Sequence, residues 1–379
     1  MYKSISYFSG LNALRFFAAS LVVVHHAETI RIKNGLTHLK GMSFFENGGT
    51  AVTFFFVLSG FLITYLLLKE KTITHAVSIK HFYIKRMLRI WPLYFLLFII
   101  GTLIMPVLFN VLHINYVFPY TFLQSWYLFV FFLPGLATFY YGTYILDPLW
   151  SIGVEELFYL IWAPLFKFIK RKILLVLFGI IALKVVLLLL VSFEIINNSL
   201  FAYLISTFQF EAMAMGGLGA YFIFYRKKSL NNLFIYKIPF QILFYGFLAV
   251  YLLFRNHIDF LCWNFFFQLP VVPQLLLDSL FIYLIIGVSL IDRNMLKFKN
   301  KYLSYLGEIS YGIYMYHMLV IFSLILFMKD FLLKTNILLG GALFYILLFS
   351  GVIVISAISK TWYENKFLAL KEKLNDKKK

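Results

Sequence analysis

Residues 50–68 read TAVTFFFVLSGFLITYLLL, nineteen positions without a single charge. At 1.5 Å per residue a helix of about 20 residues crosses the roughly 30 Å of bilayer hydrocarbon. The run is continuous rather than alternating, so it does not read as a barrel strand. Continuous apolar runs of similar length, some interrupted by a few charges, recur along the chain at 11–27, 90–109, 150–167, 173–193, 203–225, 233–254, 271–291, 306–328 and 336–359. Of the 379 residues, 62% are hydrophobic and 13% are charged. Mean hydropathy is +0.86. A soluble core cannot absorb that much apolar surface, whereas helices in lipid satisfy their own backbone and need no polar shell. The fold class read from the sequence is all-α: a polytopic membrane bundle of about ten helices.

Net charge is +18, from 34 Lys and Arg against 16 Asp and Glu. In a soluble chain this would point to nucleic acid. Here the basic residues cluster between apolar runs, the pattern of cytoplasmic loops, and no nucleic-acid partner is expected. The clusters are Lys69–Arg89, Lys167–Lys172, Arg226–Lys228, Arg293–Lys301 and the tail from Lys371. If all lie on one side, an even number of crossings separates each from the next. The aromatic stretch 117–133 then does not cross. It reads as an interfacial or re-entrant element, and both termini fall in the cytoplasm. The boundaries drawn are a transmembrane domain over 1–367 and a basic tail over 368–379 that touches anionic lipid. The outer loop 28–49 breaks the charge pattern with Arg31, Lys33 and Lys40. Cys262 is the sole cysteine, so no intramolecular disulfide forms, and no cleavable signal peptide is read at the N-terminus.

Ionisable groups inside membrane helices are costly, at least about 2.5–3.5 kcal/mol each, and so are functional candidates. Arg15 and His26 are eleven residues apart, which returns them to nearly the same helix face about 16 Å apart. Histidine exchanges protons near neutral pH and suits a general base. Arg86 and Arg89 are one turn apart. On spacing they read either as ordinary topogenic charge or as a two-pronged phosphate holder. Ser59 and Gly60 interrupt a bulky run, as a packing notch or a ligand-facing one. Glu155 and Glu156 sit inside an apolar span beside Trp150 and Tyr159, and a carboxylate there can orient a histidine. Glu211 and His317 lie in later spans. Metal ligands do not cluster at zinc spacing, and no metal is expected.

Five blocks carry a resemblance: LNALRFFAASLVVVHH (11–26), FFFVLSGFLIT (54–64), IKRMLRIWPLYF (84–95), LWSIGVEELFYLIWAP (149–164) and LGEISYGIYMYH (306–317). In this order they resemble the acyltransferase 3 family of bacterial membrane O-acyltransferases. The resemblance implies a ten-helix core in the bacterial inner membrane. It implies transfer of an acyl group, usually acetyl, from cytoplasmic acyl-CoA to a hydroxyl of a surface or lipid-linked saccharide. Acetyl-CoA would be a co-substrate, with no permanently bound cofactor. The family's arginine–histidine pair falls on Arg15 and His26, and its Arg-x-x-Arg motif on Arg86 and Arg89. Its Ser-Gly-Phe falls on Ser59, Gly60 and Phe61, and its Trp-Ser…Glu motif on Trp150, Ser151 and Glu155. The implied roles are His26, Glu155 and Arg15 in catalysis, and Arg86, Arg89 and Arg15 on acyl-CoA. Ser59, Gly60, Phe61, Trp150, Ser151 and His317 are structural or face the acceptor. Phe16, Gln209 and Glu364-Asn365-Lys366 depart from the family pattern, and no SGNH-type esterase domain is read. The competing expectation is a transporter or flippase, in which the same polar residues would form a substrate or proton path.

Overall fold

The computed structural model describes residues 8–39, 41–169, 172–265, 271–291 and 294–376. Lys40, Lys170, Arg171, Arg293 and the last three lysines lie outside the described residues. So do the side chains of Cys262 and of the tail from Lys371. Every regular element described is helical. In chain order these are α1 Ser9–Lys33, α2 Gly48–Thr74, α3 Ile79–Ile99, α4 Met105–Val111, α5 Phe122–Val130, α6 Pro134–Tyr141, α7 Leu149–Phe168 and α8 Ile173–Ser192. There follow α9 Ser199–Thr207, α10 Phe210–Asn231, α11 Ile238–Phe265, α12 Val271–Leu290, α13 Lys301–Glu308, α14 Ser310–Lys334, α15 Ile337–Ser359 and α16 Asn365–Asp376. Among the described residues, nine helices are long and apolar enough to cross a membrane. The chain is therefore an all-α, multi-pass membrane helix bundle.

The helices divide into two compact units. The first comprises Met1–Val22, Lys40–Val77 and Trp162–Glu308, and the second Val23–Leu39, Ser78–Ile161 and Ile309–Lys379. In the first unit, α2 lies along α10 at very short range. A Cβ on Gly60 would sit 1.9 Å from the Met213 carbonyl oxygen, and one on Gly216 would sit 1.9 Å from that of Val57. In lipid, helix association depends on close packing because the hydrophobic effect offers little between helices. Gly60 is thus a packing notch against α10. Phe61 is buried beside Tyr65, and Ser59 is half-buried. Gly60→Val should cost about 1–3 kcal/mol or more, because backbone on the far side cannot retreat as a side chain can. Thermal unfolding in detergent reads this as a lowered midpoint.

The expected span 203–225 is instead two helices, α9 and α10, broken at Phe208 and Gln209. The break leaves carbonyls without helical partners, and a buried lysine from α8 takes them. Lys184 Nζ donates to the Ile205 and Phe208 carbonyls and lies 3.5 Å from Glu211 Oε2. Gln209, where the family pattern has arginine, accepts from Thr53 Oγ1 at 2.8 Å. Glycines, Glu211 and Arg226–Lys228 lower the apolar content of α10, which is why it is not among the nine.

In the second unit, α3 runs into α4 through a π-helical turn at Ile100–Ile104, giving one span over Ile79–Val111. A π turn displaces a backbone carbonyl. The Gly101 carbonyl accepts the Tyr144 hydroxyl at 2.8 Å. The aromatic stretch 117–133 contains α5, nine residues long, and no helix long enough to span. It is packed within this unit: Phe129 stacks on Phe98 at 4.3 Å, and its carbonyl accepts from Tyr94 at 3.1 Å.

Candidate active site

The second unit brings together two histidines 291 positions apart. His26 comes from the C-terminal half of α1 and His317 from α14. His317 is fully buried, and its Nε2 lies 3.1 Å from His26 Nδ1. Its other nitrogen, Nδ1, lies 2.5 Å from the Tyr314 carbonyl oxygen. A carbonyl only accepts, so Nδ1 of His317 carries the proton. In neutral His317, Nε2 is then a lone pair, and it can only accept from His26. His26 therefore holds its proton on Nδ1 and keeps Nε2 unprotonated. A buried neighbour that accepts from one ring nitrogen and leaves the other basic is the arrangement a general-base histidine requires.

Tyr314 is held in turn. Its hydroxyl donates to the Pro148 carbonyl at 3.0 Å and lies 2.7 Å from Ser151 Oγ. Ser151, buried in the first turn of α7, also reaches the Pro148 carbonyl at 3.2 Å. Ser151 thus fixes the residue that fixes His317, while Trp150 beside it is half-buried. One turn on, Glu155 Oε2 accepts the Tyr159 hydroxyl at 2.7 Å. Glu156 Oε2 accepts Trp91 Nε1 at 2.8 Å, whereas its Oε1 is enclosed without a hydrogen bond. His317 is thus one neighbour of His26. Both glutamates contribute to the field at Arg86.

Arg86 is half-buried, its guanidinium 5.4 Å over the Tyr159 ring and 5.9 Å over that of Phe82. Ring faces hold a cation while leaving its N–H groups available to a ligand. Arg89, one turn along, is exposed. Arg15 is half-buried in the first unit and donates to Asn12 Oδ1 at 3.0 Å. Tyr314 was not singled out in the sequence. Its position three residues before His317 in ISYGIYMYH was the available signal, since that spacing lets a helix carbonyl meet a side chain one turn later.

The C-terminal end of α1 and the segment before α7 are also joined. Lys33 Nζ donates to Thr143 Oγ1 at 2.7 Å. Asp147 accepts from the Tyr144 N–H at 2.8 Å and from Thr138 Oγ1 at 3.0 Å. Burial nevertheless pushes the Asp147 carboxyl up to about 6, against those two bonds and the Lys33 charge. The folded state thus binds the proton more tightly than the unfolded chain. The Asp147 contribution is full below the ordinary carboxylate range and declines as pH rises to about 6. Asp147→Asn should flatten the fall in thermal midpoint between roughly pH 4 and 6. A pH series on both proteins checks it.

A polytopic helical membrane protein with a histidine pair and a two-arginine face is the class that fold and site define. Residues 8–360 match the profile of the acyltransferase 3 family, described as an acyltransferase domain, and the chain belongs to that family. Among similar proteins are "Putative O-acetyltransferase SACOL0978" of Staphylococcus aureus (strain COL), 30% identical over 164 residues, and "Putative peptidoglycan O-acetyltransferase YrhL" of Bacillus subtilis (strain 168), 30% identical over 165. "Peptidoglycan O-acetyltransferase OatA" of Listeria monocytogenes serovar 1/2a is 27% identical over 173. These matches cover 42%, 42% and 45% of this chain, but span about a quarter of each relative, 24%, 24% and 25%. No solved structure matches.

Proposed function

We propose that this chain is a membrane O-acyltransferase that moves an acetyl group from cytoplasmic acetyl-CoA to a hydroxyl of a surface or lipid-linked saccharide. The observation that carries the reading is the His26–His317 pair, which leaves His26 Nε2 as a base. The match to the family and the names of its relatives support the reaction class, and two relatives carry peptidoglycan in their names. The reading places the termini in the cytoplasm and the membrane as the bacterial inner membrane, because the basic clusters flank the spans on one side.

In the proposed cycle, Arg86 and Arg89 hold the phosphates of CoA, and Arg15 lies along the path of the pantetheine arm. His26 Nε2 removes the proton of the acceptor hydroxyl as its oxygen attacks the thioester carbonyl. The new C–O bond forms, the C–S bond breaks, and the imidazolium returns the proton to the CoA thiolate. His317 Nε2 stabilises that imidazolium through the Nδ1–H it accepts. Glu155 supplies negative charge on the α7 face, held by Tyr159. The test needs one compartment only. Purified protein in detergent, given acetyl-CoA and chito-oligosaccharide, should liberate CoA thiol and acetylate the sugar. A transporter would leave the thioester intact, and that result would reject the reading.

A further inference from the structure

Arg31 stands out in the sequence as a positive charge on the outer side, against the usual bias. In the second unit it is not a surface charge. Glu28 and Arg31 are 0% and 1% exposed, and Arg31 Nη1 meets Glu28 Oε1 at 2.7 Å. Buried charges are held by partners or not at all. Here the partners come from two directions. From α15, the Tyr345 hydroxyl donates to the same Glu28 Oε1 at 2.5 Å, and the Phe344 ring lies 5.4 Å from the Arg31 guanidinium. From the chain just after α1, the Leu39 N–H donates to Glu28 Oε2, and the Leu36 N–H donates to the Arg31 carbonyl at 3.0 Å.

His26 lies two residues before Glu28. Two residues turn an α-helix by about 200°, so the two side chains leave α1 on nearly opposite sides. His26 meets α14 through His317, and Glu28 meets α15 through Tyr345. Helices α14 and α15 pack against each other. One contact cannot fix the rotation of a helix about its axis, but two on opposite sides can. Slipping α1 by one residue would move His26 by about 1.5 Å and turn it by about 100°.

We propose that Glu28, Arg31 and Tyr345 are positioning residues for His26: they lock the rotation and height of the C-terminal half of α1, so that His26 Nδ1 stays on His317 Nε2. The catalytic consequence rests on the acyl-transfer reading above, but the positional one does not. Two variants test it in the full-length protein labelled with ¹⁵N-histidine. Tyr345→Phe removes one hydroxyl. The double variant Glu28→Gln/Arg31→Gln removes both charges and leaves neither stranded. In the parent protein, ¹⁵N shifts should report His26 protonated at Nδ1. In each variant His26 should become a mixture of tautomers. The kcat for CoA release should fall about ten- to a hundredfold, the scale of an ångström misplacement. KM for acetyl-CoA should stay within about twofold, because donor binding is not touched. Should the double variant fail to fold, Tyr345→Phe decides alone. Unchanged tautomers in Tyr345→Phe overturn the proposal, with or without a change in rate. A shift in tautomers in a protein whose parent form releases no CoA upholds the positioning role and rejects the acyl-transfer reading instead.

Discussion

His26→Ala leaves a folded membrane protein whose transfer from acetyl-CoA runs about 10²–10⁴-fold more slowly, the range that general-base catalysis supplies. The loss should fall on kcat. KM for acetyl-CoA should hold, because the proposed phosphate contacts, Arg86 and Arg89, are on another helix. The fold should survive: His26 is half-buried, and its removal strands no charge. It does remove the donor to His317 Nε2, so a modest drop in thermal midpoint is expected, of the order of one neutral hydrogen bond, about 0.5–1.5 kcal/mol. Steady-state kinetics alongside a melting curve separates the two effects. A rate near that of the parent chain in a folded variant would remove His26 from the mechanism.

The second large effect is expected at the two-arginine face. A hydrogen bond to a charged group contributes about 1.5–3 kcal/mol, so losing one arginine should raise KM for acetyl-CoA roughly ten- to a hundredfold. Arg86→Ala should be the costlier single change if ring contacts set the guanidinium in place beforehand, since it sits over Tyr159 and Phe82 while Arg89 is exposed. Lysine in either place should restore only part of the affinity, because an ammonium cannot form the planar fork. The double variant Arg86→Ala/Arg89→Ala should approach the product of the singles while kcat changes little. A collapse of kcat with KM unchanged would assign the arginines to the reacting centre instead of the donor. Isothermal titration with CoA gives the same distinction without turnover.

The fold was legible where a single physical requirement decides it. Apolar runs near 20 residues long and the basic clusters between them locate most of the crossings. The non-crossing stretch 117–133 follows from charge parity and contains only the nine-residue α5. What was not legible depends on partners distant in the chain. The break at Phe208-Gln209 is tolerated because Lys184, on another helix, takes the freed carbonyls. Nothing local to residues 203–225 announces that. Gly60 had two equal readings until Met213 was found against it. Arg31 looked like a misplaced loop charge, although its i, i+3 spacing from Glu28 offered the pairing.

The candidate site divides in the same way. His26 and Glu155 could be singled out because ionisable groups are expensive in an apolar helix; Arg86 and Arg89 stood out by their spacing in a basic cluster, and Ser151 only through the family resemblance. Their partners could not. His317 reads in the sequence as one more histidine in a membrane helix, and its pairing with His26 spans 291 positions. Ser151 stands near Glu155 in the sequence, but its link is to Tyr314 on α14. The tautomer of His26, on which the chemistry turns, follows from a backbone carbonyl one helical turn before His317.

The central claim is best tested by transfer across a sealed membrane. The purified protein is reconstituted into liposomes, with acetyl-labelled acetyl-CoA on the face that carries the Arg86/Arg89 end of α3 and chito-oligosaccharide on the other. Label should appear as an O-acetyl ester on the sugar, at a rate cut about 10²–10⁴-fold in His26→Ala. Label that stays on CoA, or that reaches the sugar as fast in His26→Ala as in the parent chain, would contradict the account.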